Sequence, residues 1–114
     1  MKAQPIFAQR RICPTVLTVE EAMNHQKKLL IIDVQNPKYV TSIIPGAQRL
    51  NEAILLKDIP KTQAVLVTCL SGERSFRVAQ QLIQRGYRDV YVLKGGVMAW
   101  QRAGYMTQLM ELPA

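Results

Sequence analysis

Cys69, Gly72, Arg74 and Ser75 stand together in one short stretch, directly behind the apolar run Val65-Leu66-Val67-Thr68. The chemistry open to such a group is that of a nucleophilic sulfur. The thiolate, not the thiol, is the nucleophile, and a free cysteine titrates near ~8.5. A cysteine that works at neutral pH therefore needs its negative charge stabilised, and three sources lie within the stretch. Successive N–H groups of a tight loop form a nest for an anion. A helix starting near Arg74 or Ser75 presents the positive end of its dipole. Arg74 adds a charge that is never lost. Gly72 permits backbone angles closed to other residues, and Ser75 is a good cap for the helix that follows. The plainer role for a lone cysteine at the end of a buried strand is that of a small hydrophobe. The glycine, arginine and serine behind Cys69 outweigh it.

The elements that must position this group follow from the pattern on either side. Gln63 to Thr68 reads as a central strand that delivers Cys69 at its carboxyl end. Phe76, Val78, Ala79, Leu82 and Ile83 recur at helical spacing, and Gly86 suits the position just past the helix end. Leu29 to Val34 is a continuous apolar run broken only by Asp33. Burial on both faces favours a parallel strand covered by helices on either side. Asp33 falls at its carboxyl end, where α/β folds place functional groups, although capping a local turn is the role favoured here. Asn36-Pro37 and Pro45-Gly46 are turns, with one helical turn expected over Lys38 to Ile43 and a short strand over Ala47 to Leu50. Asn51 caps a helix carrying Ala53, Ile54 and Leu55 that ends before Pro60. Val90 to Leu93 is the last strand, Gly95-Gly96 lets the backbone pass close by, and Val97 to Ala103 is a helix bearing Trp100. Near the start, Thr15 to Leu17 is a short apolar piece, and Thr18 with Glu21 forms a capping box for a helix running to His25.

Strands and helices thus alternate, and parallel strands need crossover connections. The expected fold is one α/β domain with about five mainly parallel strands and helices on both faces. Residues 1–14 read as an N-terminal arm, residues 15–106 as the domain and residues 107–114 as a C-terminal tail.

Composition bounds the function classes. The chain has 114 residues, 48% of them hydrophobic, which suffices for a core without disulfides. Cys13 and Cys69 do not make a disulfide framework, so a reducing, cytoplasmic setting is expected. Met1 to Arg11 has no apolar run of the signal-peptide kind, and no segment approaches the ~20 apolar residues of a membrane helix. The net charge of +7 comes from scattered lysines and arginines without interleaved aromatics. It reads as solubility and attraction for small anions rather than nucleic-acid binding. There is no metal-ligand spacing and no cofactor motif. His25, the only histidine, lies far in sequence from Cys69 and is a poor general base. Trp100 reads as core or lid packing and Cys13 as a plain thiol.

Cys69-Leu70-Ser71-Gly72-Glu73-Arg74-Ser75, as Cys-x-x-Gly-x-Arg-Ser, resembles the active-site loop of rhodanese-like sulfurtransferase domains. Leu29 to Val34 with Ile44-Pro45-Gly46-Ala47 resembles that family's first motif, and Gly86 to Trp100 resembles its last. The resemblance implies a rhodanese-like fold and a cysteine that accepts a sulfane sulfur as a persulfide. The loop amides of Leu70 to Ser75 would cradle the persulfide, with basic side chains at the rim holding an anionic donor. On this reading Cys69 is catalytic, and Asp33 and Lys94 give support, Lys94 by drawing anions in; Arg77 fits that task or a solvated face equally. The partners are a small anionic sulfur donor, such as thiosulfate or a persulfide, and a thiol, thioredoxin or other nucleophilic acceptor such as cyanide. Two rival functions are a cysteine phosphatase or arsenate reductase of related fold, and a non-catalytic regulatory module that keeps the loop by descent.

The chain departs from the family's first motif, commonly Asp-Val-Arg, then an acid before an aromatic residue, then Gly-His-Ile-Pro-Gly-Ala. Here Gln35 stands at the arginine, Lys38 precedes Tyr39, and Ser42-Ile43 replace Gly-His, in a segment one residue shorter. Losing the arginine and the acid together strands neither charge. The departure bears on local bracing and donor specificity and leaves the nucleophile loop untouched. Glu73 is unusual beside an anion site, and its carboxylate is expected to face solvent.

Overall fold

The computed structural model describes residues 13–50 and 58–109. Among these, the chain forms the strands β1 (Thr15–Leu17), β2 (Leu30–Asp33), β3 (Ser42–Ile43), β4 (Gln48–Arg49), β5 (Val65–Thr68), β6 (Val90–Leu93) and β7 (Gln108–Leu109). The helices are α1 (Val19–Asn24), α2 (Glu73–Gln84) and α3 (Gly96–Arg102), with a 3-10 turn at Gln26–Lys28. Five strands make one sheet in the order β1-β6-β5-β2-β4, and every neighbouring pair is parallel. The fold is the expected α/β one, a parallel sheet with helices on both faces.

Alternation along the strands builds the two halves of the core. Ile32, Val65, Val67, Val90 and Val92 face one side of the sheet, where Ala79 and Leu82 of α2 meet them. Ile31, Leu66 and Leu93 face the other, against Val19 and Ala22 of α1 and Val97 and Trp100 of α3. All four residues of β5 are buried. A strand covered on both faces must be apolar throughout, which is why Val65-Leu66-Val67 runs without alternation. Trp100 is a core residue, as expected, and its indole N–H donates to the Met106 carbonyl at 2.8 Å.

One expectation changes. The helical turn over Lys38 to Ile43 gives way to a turn at Pro37–Tyr39 followed by β3, which pairs antiparallel with β7. Thr41, Ile43 and Ile44 are β-branched, Pro45 disfavours helix in the residue before it, and Ile43 and Ile44 are buried. Ser42 lies opposite Leu109 in this two-stranded ribbon. The helix expected behind Asn51 and most of the N-terminal arm lie outside the described residues.

Candidate active site

The nucleophile loop joins β5 to α2. Cys69 is 3% exposed. Its Sγ accepts the Gly72 N–H at 3.0 Å and the Ser75 N–H at 3.3 Å. The Ser75 hydroxyl lies 3.4 Å from Sγ and donates to the Gly72 carbonyl at 3.0 Å. Gly72, at φ 111°, is the N-cap of α2 in a left-handed conformation that suits glycine. Ser75 is therefore the third residue of the helix, not its cap, because the left-handed turn at Gly72 starts the helix early. Gly72 has no side chain to offer, and the Cys69 sulfur takes the place of the missing cap oxygen on the Ser75 amide. The amides of Ser71, Glu73 and Arg74 have no acceptor among the described residues. Donors gathered this way suit a negative charge on sulfur or on an atom bonded to it.

Helix α3 fixes the loop from behind. The Val97 amide donates to the Cys69 carbonyl at 2.9 Å, and the Met98 amide to the Leu70 carbonyl at 3.1 Å. Gly96 sits at φ 63°, and a Cβ there would fall 2.4 Å from the Cys69 oxygen and 2.6 Å from the Leu70 oxygen. The close passage read from Gly95-Gly96 is this contact, made against the back of the nucleophile loop.

A buried polar network lies under the site. Asp33, wholly buried at the end of β2, pairs with Arg49 of β4 at 2.7 Å. Its carboxylate also accepts the Gln35 amide at 2.9 Å, which is the turn cap expected of it. The Gln35 side-chain nitrogen bonds Asp33 Oδ2 at 2.8 Å and the Ser42 carbonyl at 2.9 Å. The Thr68 hydroxyl, one residue before Cys69, reaches the same Oδ2 at 3.4 Å. Asp33 therefore braces the floor rather than facing the pocket. Sequence reasoning missed Arg49. Its only signal was a charge in a short expected strand, and nothing marked Asp33 as its partner.

Cys69 opens into a cavity of about 270 Å³ lined also by Gln35, Tyr39, Leu70, Arg74 and Arg77. The two arginines supply cationic charge, and Tyr39 and Leu70 stand 76% and 53% exposed beside them. Arg77, for which both roles were open, lines this cavity and is also exposed to solvent. Arg74 is exposed and makes no hydrogen bond to the loop among the described residues, so it contributes charge rather than a brace. Glu73 is exposed at the mouth, at the first position of α2, where the helix dipole favours an acid. Lys94 does not line this cavity. It borders a separate depression with Thr18, Glu20 and Arg102, because the chain turns away at Gly95. His25 lines a third depression with Leu17 and Lys28. Cys13 is exposed and free. Among the described residues no group of histidines, cysteines and acids is placed to hold a metal ion. No helix there is long and apolar enough to cross a membrane.

Comparison with known proteins adds to this geometry. Residues 16–103 match the model of the rhodanese-like domain family. A protein of Allochromatium vinosum described as a sulfurtransferase is 31% identical over 91 residues, which is 76% of this chain and 85% of that protein. The crystal structure of a rhodanese-related protein from Thermoplasma volcanium superposes with a TM-score of 0.72 at 19% identity, covering 84% of this chain and 99% of that one. A protein of unknown function from Rhodopseudomonas palustris, described as a possible tyrosine phosphatase, gives a TM-score of 0.69 at 22% identity, covering 83% and 85%.

Proposed function

This chain belongs to the rhodanese-like family, and from that premise we propose that it is a sulfurtransferase working through a persulfide on Cys69. The Cys69 thiolate attacks the outer sulfur of an anionic donor. With thiosulfate, the Sγ–S bond forms as the donor's S–S bond breaks, and sulfite leaves with the bonding electron pair. The enzyme is left with a persulfide anion, and charge is conserved. A thiolate or cyanide then attacks the outer sulfur and departs with it, and Cys69 leaves as thiolate again. This is two-step covalent catalysis. The role of the loop amides is to hold charge on the outer sulfur, and that of Arg74 and Arg77 is to attract the donor and the departing anion.

The observation that carries this reading is the pair of N–H donors on Sγ, from Gly72 and Ser75, in the wall of a cavity that two arginines also line. Intact-protein mass spectrometry after incubation with thiosulfate tests it. The expected result is a gain of one sulfur atom that a reductant reverses and that Cys69→Ser does not show. Absence of the adduct would refute the reading.

Loop size argues against phosphorus chemistry. Cysteine phosphatases of related fold space nucleophile and arginine as Cys-x5-Arg, whereas Leu70 to Glu73 are only four residues. A smaller ring of amides suits one sulfur atom better than three phosphate oxygens. Asp33 is engaged by Arg49 and Gln35 and is absent from the cavity lining, so it offers no general acid. Aryl phosphate hydrolysis measured beside thiosulfate turnover should be negligible. Cys69-dependent phosphate release exceeding sulfur transfer would reverse the choice.

A further inference from the structure

Ser75 brings two groups to the sulfur, its amide and its hydroxyl. The residue is wholly buried, so the hydroxyl must find its partners inside the protein. Two acceptors lie within its reach: the Gly72 carbonyl at 3.0 Å and Sγ at 3.4 Å. A hydroxyl carries one hydrogen and gives it to one of them at a time. With Cys69 as a thiol every group is satisfied. The S–H donates to the Ser75 oxygen, and the hydroxyl donates to the carbonyl. With Cys69 as a thiolate the S–H is gone, and the hydroxyl left in place would turn a lone pair towards a negative sulfur. Turning the O–H onto Sγ removes that repulsion and forms a charge-assisted bond, roughly twice as strong as a neutral one. The turn strands no acceptor, because the Gly72 carbonyl also receives the Phe76 amide at 3.1 Å. In a persulfide the negative charge sits on the outer sulfur. Sγ is then neutral and a weak acceptor, and the carbonyl is again the better partner.

Resting on the sulfurtransferase reading above, we propose that the Ser75 hydroxyl is a catalytic donor for unloading: it turns from the Gly72 carbonyl to Sγ as Cys69 is expelled from the persulfide. With cyanide as acceptor, its carbon attacks the outer sulfur and a C–S bond forms. The Sγ–S bond breaks, its electron pair stays on Sγ, and thiocyanate departs. The summed charge is the same before and after, and no proton is transferred. The hydroxyl keeps its hydrogen and only points it at the new anion. This bond is made in the unloaded state and not in the loaded one. It therefore favours Cys69 as a leaving group and opposes it as a nucleophile, since a stabilised thiolate leaves faster and attacks more slowly. A residue that only held the loop in shape would act on both half-reactions alike.

The test separates the half-reactions by stopped flow on the full chain, at a pH where alkylation of Cys69 no longer rises. Wild type and Ser75→Ala are mixed with thiosulfate to follow loading. The isolated persulfide of each is then mixed with cyanide to follow thiocyanate. Rates are taken per loadable Cys69, so a misfolded fraction does not enter them. Unloading should slow about tenfold in Ser75→Ala, the worth of one hydrogen bond to a charged group, while loading stays level or quickens. Neutron diffraction of the wild type needs no variant to fold. The hydroxyl deuterium should lie towards Sγ in the thiolate form and towards the Gly72 oxygen in the persulfide. Both half-reactions slowed alike, unloading unchanged, or a deuterium on the Gly72 oxygen in both forms overturns the inference. A wild type that never gains sulfur from thiosulfate refutes the sulfurtransferase reading itself. A wild type that loads, beside a Ser75→Ala protein without the split, leaves that reading standing and removes only this one.

Discussion

Thr18 closes the first turn of α1 on itself. Its hydroxyl accepts the Glu21 amide at 3.1 Å, and the Glu21 carboxylate returns a bond to the Thr18 amide at 2.8 Å. Helix α2 begins without such a box. Its cap is Gly72, which has no side chain to receive the first-turn amides, and a sulfur from the preceding loop takes two N–H groups at that end, those of Gly72 and Ser75. Helix α3 also starts at a glycine, Gly95, and directs its early amides to the carbonyls of Cys69 and Leu70. The four free N–H groups at a helix start can be answered locally or turned outward. Here the local answer serves stability, and the outward ones, from opposite sides of the sheet, serve one cysteine. A side-chain cap on α2 would have competed with the sulfur for the Ser75 amide.

Breaking the outward arrangement at its centre should have the largest effect. Cys69→Ser keeps an acceptor for the Gly72 and Ser75 amides, so the fold should survive, yet a hydroxyl cannot hold a persulfide. Thiocyanate release from thiosulfate and cyanide should fall to background, with an unchanged denaturation midpoint. Turnover near the wild-type rate would mean that α2 is aimed at something other than catalysis.

The α3 side of the comparison is tested by Gly96→Ala. The new Cβ would overlap two backbone oxygens that have no room to retreat, and the residue would hold a positive φ. Overpacking and strain of this kind cost on the order of 2–4 kcal/mol. Any folded fraction should carry a displaced loop, with Cys69 alkylated more slowly by iodoacetamide. A destabilised protein whose folded fraction is alkylated at the wild-type rate would make α3 a mere support.

These two helix starts also mark what could be read from the chain. Strand β5, the loop and α2 were legible because apolar runs, a glycine and helical spacing are local signals. The capping box at Thr18 was legible for the same reason. Gly72 rather than Ser75 as cap was not, because whether a sulfur can stand in for a cap oxygen depends on where the strand ends in space. The pairing of Arg49 with Asp33 and the double engagement of Gln35 were hidden too. The first depends on strand register between β2 and β4, which sets Asp33 opposite Arg49 sixteen residues on, and the second on where Ser42 of β3 passes Gln35; no local pattern sets either. Ribbon β3–β7 escaped notice because two residues per strand carry no period.

Arg74 distinguishes fixed geometry from plain charge at the α2 start. A guanidinium can donate a fork of fixed hydrogen bonds that lysine cannot copy. The exposed guanidinium, without a bond to the loop, makes its contribution electrostatic and partly screened. Arg74→Gln should lower kcat/KM for thiosulfate severalfold, more at low than at high salt, and Arg74→Lys should recover most of the loss. A lysine variant as poor as the glutamine one would restore the fork.

The smallest effect belongs to α1, where the sign of a pH dependence can be worked out. The Glu21 carboxyl is held below its ordinary value of 4.5, chiefly by the bond it accepts from the Thr18 backbone and next by that with the Thr18 side chain. A carboxyl whose folded value is depressed stabilises the fold above its unfolded value, and the contribution is lost as pH falls through the folded one. Thr18→Ala removes the cap oxygen and, at neutral pH, should lower stability by about 1 kcal/mol. Part of that loss comes from loosening the reciprocal bond that needs Glu21 ionised. The gap between Thr18→Ala and wild type, followed by urea denaturation, should therefore be widest above pH 4.5 and narrow as the solution is acidified below it. Cys69 alkylation at neutral pH should not change, because the box at Thr18 sends no amide towards the sulfur. A gap that widens in acid would mean that the carboxylate opposes the box, and a slower alkylation would tie the two helix starts together after all.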